Sequence, residues 1–310
     1  MLLDKFKMKF FFTNLLTLTI ALGLSSCSSS SDENLPQNPL QEVTEEFAEE
    51  TTNDNVFYQV PTPNELFAVL KNSNAPLNKE ILNDVSNSEK YFTKFSKALN
   101  FGVYCADLAY VTSQGSFEDA ASLFGAIKTL ANDLEIKNAI DQILFDRLKK
   151  SLENSNADSL FLISNETYYN AFSYLQQNDR KDILGLIAVG GWIEGLNIIL
   201  NLEPYIENSE ICQQIADQKL ILDNLLIFIS NVENDKFVDI VSDLIIIEEI
   251  FNQNLESSKD DVNDLELSNK TNEDGLVVFG GGNSATLSNS QFDQLKSIVT
   301  DLRTSITEEN

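Results

Sequence analysis

The sequence predicts an all-α protein, a multi-helix bundle or irregular helical array of about eight to ten helices, with one small β-hairpin near residues 276–287 before a C-terminal helix. Three observations carry that prediction. Beyond residue 56, apolar residues recur three and four apart, so that they share one side of a helix. Capping patterns stand ahead of several of these stripes, as in Thr62-Pro63-Asn64-Glu65 and Ser116-Phe117-Glu118-Asp119. Only Leu276-Val277-Val278-Phe279 and residues 284–287 read as strands, two short ones around the turn Gly280-Gly281-Gly282-Asn283.

The chain opens with Lys5, Lys7 and Lys9, then an apolar run from Phe10 to Leu24 that Thr13, Asn14, Thr17, Thr19 and Gly23 interrupt. A basic region, an apolar region and small residues make an export signal. The run falls short of the ~20 apolar residues that a spanning helix needs. It ends in Leu24-Ser25-Ser26-Cys27, which resembles the lipobox of bacterial lipoproteins. That resemblance implies that residues 1–26 are a leader, cut off before Cys27, and that Cys27 carries lipid at the new N-terminus. Two or three acyl chains anchor a protein stably, where one is marginal. Ser28, rather than Asp, follows the cysteine, which in that family implies sorting to the outer membrane. Asp32-Glu33 is similar to the acidic export signal of surface-exposed lipoproteins, so the periplasmic and surface faces both stay open. The resemblance ends there and says nothing of the remaining chain.

Residues 27–55 read as a disordered, acidic and Ser-rich tether, with Pro36 and Pro39 and too few apolar residues to pack a core. A flexible stretch of that length spans ~25–30 Å on average. Residues 56–310 read as a single helical domain. Its first helix follows the Thr62 cap through Leu66, Phe67, Val69 and Leu70, and a turn at Asn72, Ser73, Asn74 and Pro76 ends it. A short segment at 77–82 leads to a longer helix over 88–112. Helices follow at 117–132, 136–152, 166–177, 179–202, 210–230 and 235–254, with one further turn at 158–163. A polar connector over 257–275, the hairpin and a helix over 290–306 complete the chain.

Composition excludes more than it suggests. The formal charge is −27, and loss of the leader makes it more negative, because three lysines leave with one aspartate. Such a surface repels phosphate backbones, so no nucleic-acid partner is expected. The chain has no histidine, which removes Ser-His-Asp and Cys-His hydrolases, H-E-x-x-H zinc peptidases and His-ligated haem. Cys105 and Cys212 sit in apolar helical patterns, where free cysteine behaves as a small hydrophobe. Buried free thiols are the favoured reading over a disulfide, which needs Cα atoms within ~7 Å.

Few residues invite a chemical role. Gly280-Gly281-Gly282 lacks both the P-loop spacing and a neighbouring cation, so a hairpin turn explains it. The acidic set from Asp260 to Asp274 lacks the order of a Ca²⁺ loop and reads as a solvated connector. Two polar stripes remain. Glu194, Asn197 and Asn201 line one side of the apolar helix that carries Trp192, between Gly191 and Gly195. Asn100, Tyr104, Asp107 and Tyr110 line another helix. The first stripe is expected to face solvent, and the two glycines to let a neighbouring helix approach. If the stripes instead met, Asp107 and Glu194 would form a carboxylate pair suited to Ca²⁺ or to acid/base work. The ligand or pocket candidates are therefore Asp107, Tyr104, Trp192, Glu194 and Asn197; no catalytic residue, metal or cofactor is assigned.

Two functions fit these residues. One is an outer-membrane-anchored lipoprotein, held by its N-terminal lipid, acting as a non-enzymatic protein-interaction or envelope structural module. The other is a surface binder of a glycan or cation, or a carboxylate-based enzyme using Asp107 and Glu194.

Overall fold

A computed structural model describes residues 62–67, 76–140, 142–202, 204–230, 232, 237–253 and 287–308. Cys27, the tether and the hairpin residues 276–286 lie outside these residues. Among the described residues there are nine α-helices and no strand, which is the all-α architecture expected from the periodicity. The helices are α1 Pro63–Phe67, α2 Lys94–Ser113, α3 Phe117–Asp133, α4 Gln142–Glu153 and α5 Ala157–Gln177. They continue as α6 Lys181–Leu202, α7 Glu210–Ser230, α8 Phe237–Asn252 and α9 Asn289–Glu308. Two 3-10 turns, Lys79–Ile81 and Val85–Glu89, sit between α1 and α2.

Local chemistry explains where these helices begin. The Thr93 hydroxyl accepts the Ser96 N–H at 2.9 Å, so α2 starts at Lys94 and the preceding residues form the second 3-10 turn. The single helix expected over 88–112 is thus shorter at its front. Asn156 caps α5 by accepting from Ser159 N at 2.9 Å, and one helix replaces the two expected at 158–163 and 166–177. Ser164 does not break it, because its hydroxyl donates back to Phe161 O at 2.7 Å. At α9, Ser288 and Gln291 form a reciprocal capping box: Gln291 N donates to Ser288 Oγ at 3.3 Å and Ser288 N to Gln291 Oε1 at 3.0 Å.

Helix ends follow a common device. Gly115, Glu135, Ser155 and Asp179 have φ of 68°, 60°, 49° and 53°, the left-handed turn that stops α2, α3, α4 and α5. In each case the next N–H reaches back five residues, as Ile136 N does to Ala131 O at 2.9 Å. The helix expected over 136–152 consequently begins only at Gln142, although Ile136 and Ile140 still point into the core.

The core is organised by the crossing of α2 and α6. Every residue of α6 from Ile183 to Leu200 is buried, so this long apolar helix is the interior of the domain. It packs on α1, α2, α5, α7 and α9, and α7, α8 and α9 form a chain of neighbours that returns to it. The two backbones meet at Gly102 and Gly190. A Cβ on Gly190 would lie 1.9 Å from Leu99 O, and one on Gly102 would lie 2.1 Å from Ile187 O. The glycines singled out in the sequence sit beside that crossing: Gly191 lies against Gly102 and Pro63, and Gly195 against Leu66 of α1.

Candidate functional site

The two polar stripes meet in the interior. Asp107 of α2 and Glu194 of α6 are both 0% exposed, and Arg303 of α9 pairs with Glu194. Its Nε donates to Glu194 Oε2 at 2.8 Å and its Nη2 to Glu194 Oε1 at 3.2 Å, a two-pronged guanidinium–carboxylate pair. Nη2 also donates to Ile81 O at 3.2 Å, which pins the first 3-10 turn to the same cation. Glu194 and Asn197 of that stripe therefore face α9, not solvent as expected, and Asn201, half-buried, bonds back to Asn197. Asn197 Oδ1 accepts from Thr300 Oγ1 at 3.4 Å and from Asn201 Nδ2 at 3.2 Å.

Asp107 has a different environment from Glu194. Its Oδ2 accepts the Asn83 N–H at 3.2 Å, while its Oδ1 meets no donor among the described residues. Burial pushes the Asp107 carboxyl well above the usual range, and the Glu194 carboxyl beside it adds to the rise; Arg303 and the Asn83 N–H oppose both. One guanidinium cannot balance two buried carboxylates, which favours the protonated form of Asp107. As an acid it becomes a hydrogen-bond donor, with the Glu194 carboxylate as the acceptor at hand.

Around this centre, amide and phenol groups tie residues 78–91 and the end of α9 onto α2. Asn83 Nδ2 donates to Tyr91 OH at 3.0 Å, and Tyr91 OH donates to Thr307 O at 3.2 Å. Asn100 Nδ2 donates to Ile306 O at 2.9 Å. Tyr104 OH donates to Asp84 O at 2.8 Å, and burial raises its phenol above the usual value. Tyr110 OH accepts the Asn78 N–H at 3.0 Å.

The five sequence candidates thus divide. Asp107, Glu194, Asn197 and Tyr104 are all buried on α2 and α6, and Glu194 and Asn197 both bond to α9. Trp192 does not. It lies on another side of α6, where its Nε1 donates to Gln218 Oε1 at 3.2 Å. There it lines a cleft of about 150 Å³ between α1, α6 and α7, which none of the other four candidates lines. Among the described residues no group of three or more Asp, Glu, Cys or His could hold a metal, and the cation beside Glu194 is Arg303. Cys105 and Cys212 are free and buried.

Arg303 is the residue that sequence reasoning missed. A signal was present, since the chain has only three arginines and one of them, Arg303, falls within the last helical stripe. A buried carboxylate is matched better by guanidinium than by ammonium. No family model matches this chain, and no curated protein or solved structure matches it either.

Proposed function

We propose that the chain is a non-enzymatic, outer-membrane-anchored lipoprotein whose helical domain docks another protein of the cell envelope. The observation that carries the proposal is on α7 and α8. Leu220 and Ile227 of α7 are 68% and 52% exposed, and Val238, Ile245 and Ile246 of α8 are 61%, 41% and 44% exposed. On each helix the pairs stand seven residues apart, on one face, as in helices that pack against a partner. Large aliphatic residues grouped this way are a feature of interaction surfaces. The anchor rests on the lipobox at 24–27. A carboxylate-based enzyme has less support, because Asp107 and Glu194 are closed off and Glu194 is spent on Arg303.

Photo-crosslinking side chains placed at Ile227 and Val238 in intact cells test this reading. Both positions should give the same discrete adduct, and a probe at exposed Glu118 of α3 should not. Cys27→Ala should abolish fatty-acid labelling and remove the adduct. Loss of neither, or adducts at all three positions, would overturn the proposal.

A further inference from the structure

We infer that the cleft beside Trp192 receives the lysine or arginine side chain of a basic partner segment, its aliphatic stem against Trp192 and Leu66 and its cation at Asp217. The inference rests on the interaction-module reading and names the chemistry of the partner. Size is the first argument. A cleft of about 150 Å³ is smaller than the ~300–1,000 Å³ of sites for drug-sized ligands. A cavity of ~150 Å³ is enough for a group the size of benzene, and hence for one side chain.

The lining supplies the second argument. Pro63, Leu66, Trp192 and Ile221 give apolar walls, and the bare backbone at Gly191 and Gly195 leaves room between them. The lining offers no positive charge to an anion. Gln218 has already given its oxygen to the Trp192 indole and its Nε2 to Gln214 O at 3.2 Å. Asp217 is the one charged side chain in the lining, exposed at the rim. Its Oδ1 accepts the Gln213 amide at 2.8 Å, and among the described residues no cation pairs with it. An alkyl chain ending in a positive charge fits this arrangement, and the indole face favours such a cation further.

Charge and continuity add a third argument. The chain as a whole carries −27, which steers basic partners toward it. On α7, exposed Leu220 stands one turn after Asp217, and Ile227 follows seven residues later. A basic segment lying along α7 would cover these aliphatic residues while its cationic side chain fills the cleft.

Trp192 is the only tryptophan in the chain, so its fluorescence reports on this cleft alone. The full chain in detergent would be titrated with a short leucine–lysine peptide, with norleucine and glutamate versions as controls. A saturable change in Trp192 emission is expected with lysine only. Asp217→Asn should weaken it at least tenfold, whereas Asp301→Asn, the same charge change on exposed α9 surface, should leave it unchanged. Gln214→Lys, which sets a built-in cation at the cleft, should also block the peptide. Equal binding of the norleucine peptide, equal losses in the two aspartate variants, or no emission change would each overturn the inference. If the titration fails while the Ile227 and Val238 adducts persist, the cleft is wrong and the interaction module stands. The reverse result removes the module and leaves the cleft.

Discussion

Arg303 closes on Glu194 through two hydrogen bonds, at 2.8 and 3.2 Å, across 109 residues of chain. This pair fastens α9 to the central helix and holds Ile81 by the same guanidinium. A buried ion pair adds little over a well-packed apolar substitute, but breaking it from one side leaves a charge stranded.

Arg303→Met should therefore destabilise the domain by ~3–5 kcal/mol, with Glu194 left buried and unpaired. Arg303→Lys keeps the charge but loses the fork, so its loss should be smaller yet clear. Denaturant unfolding measures both. Parent-like stability in Arg303→Met would show that the pair does not hold α9.

The Asp107 carboxyl, raised by burial and by Glu194, makes stability depend on pH. Its folded value lies above the unfolded one, near ~3.9. The contribution is complete below that unfolded value and is lost as pH rises toward the raised folded value, because the unfolded chain gives up its proton first. Asp107→Asn keeps an acceptor for the Asn83 N–H and a donor for Glu194 without titrating. Unfolding midpoints measured across pH should fall as pH rises above ~4 in the parent more steeply than in Asp107→Asn. Parallel curves would mean that Asp107 is ionised in the folded state.

Glycine substitutions should rank by what a Cβ meets. Gly190→Ala presses on the Leu99 carbonyl at 1.9 Å and should cost ~3 kcal/mol or more, since backbone must move. Gly195→Ala meets the flexible end of Leu66 at 3.1 Å and the ring edge of Phe67 at 4.0 Å, and should be far milder. Gly125→Ala in α3 meets nothing within 4 Å and should stabilise by up to ~1 kcal/mol through helix propensity. Thermal unfolding of the three variants checks the order.

Glu135 stops α3 at φ 60° without the glycine that usually takes this position. Glu135→Gly relieves ~1–2 kcal/mol of left-handed strain and adds back chain entropy, for a net gain of roughly 0.5–1 kcal/mol. An unchanged or lower melting temperature would show that the Glu135 side chain compensates in another way.

Several features were legible in the residues alone. Periodicity placed α6, α7, α8 and α9 within two or three residues, and the unbroken apolar surface of α6 marked it as the core helix. The apolar surroundings of Cys105 and Cys212 marked them as buried free thiols. Polar spacing put Glu194 with Asn197, and Tyr104 with Asp107, each on its own helix face. Those features are local, because a helix of known pitch assigns residues to a face without reference to any other element. Tertiary structure decided which faces met. It brought Asp107 to Glu194 and Arg303 to both, sent Trp192 to a separate cleft, and moved the closest backbone contact from Gly191 and Gly195 to Gly102 and Gly190. It also decided that Glu135, Ser155 and Asp179 end helices without a glycine signal. These outcomes depend on pairing between residues far apart in the chain, as from Arg303 to Ile81, 222 residues away. Helical periodicity carries no information about such pairs; only the requirement that a buried charge find its counter-charge selects them.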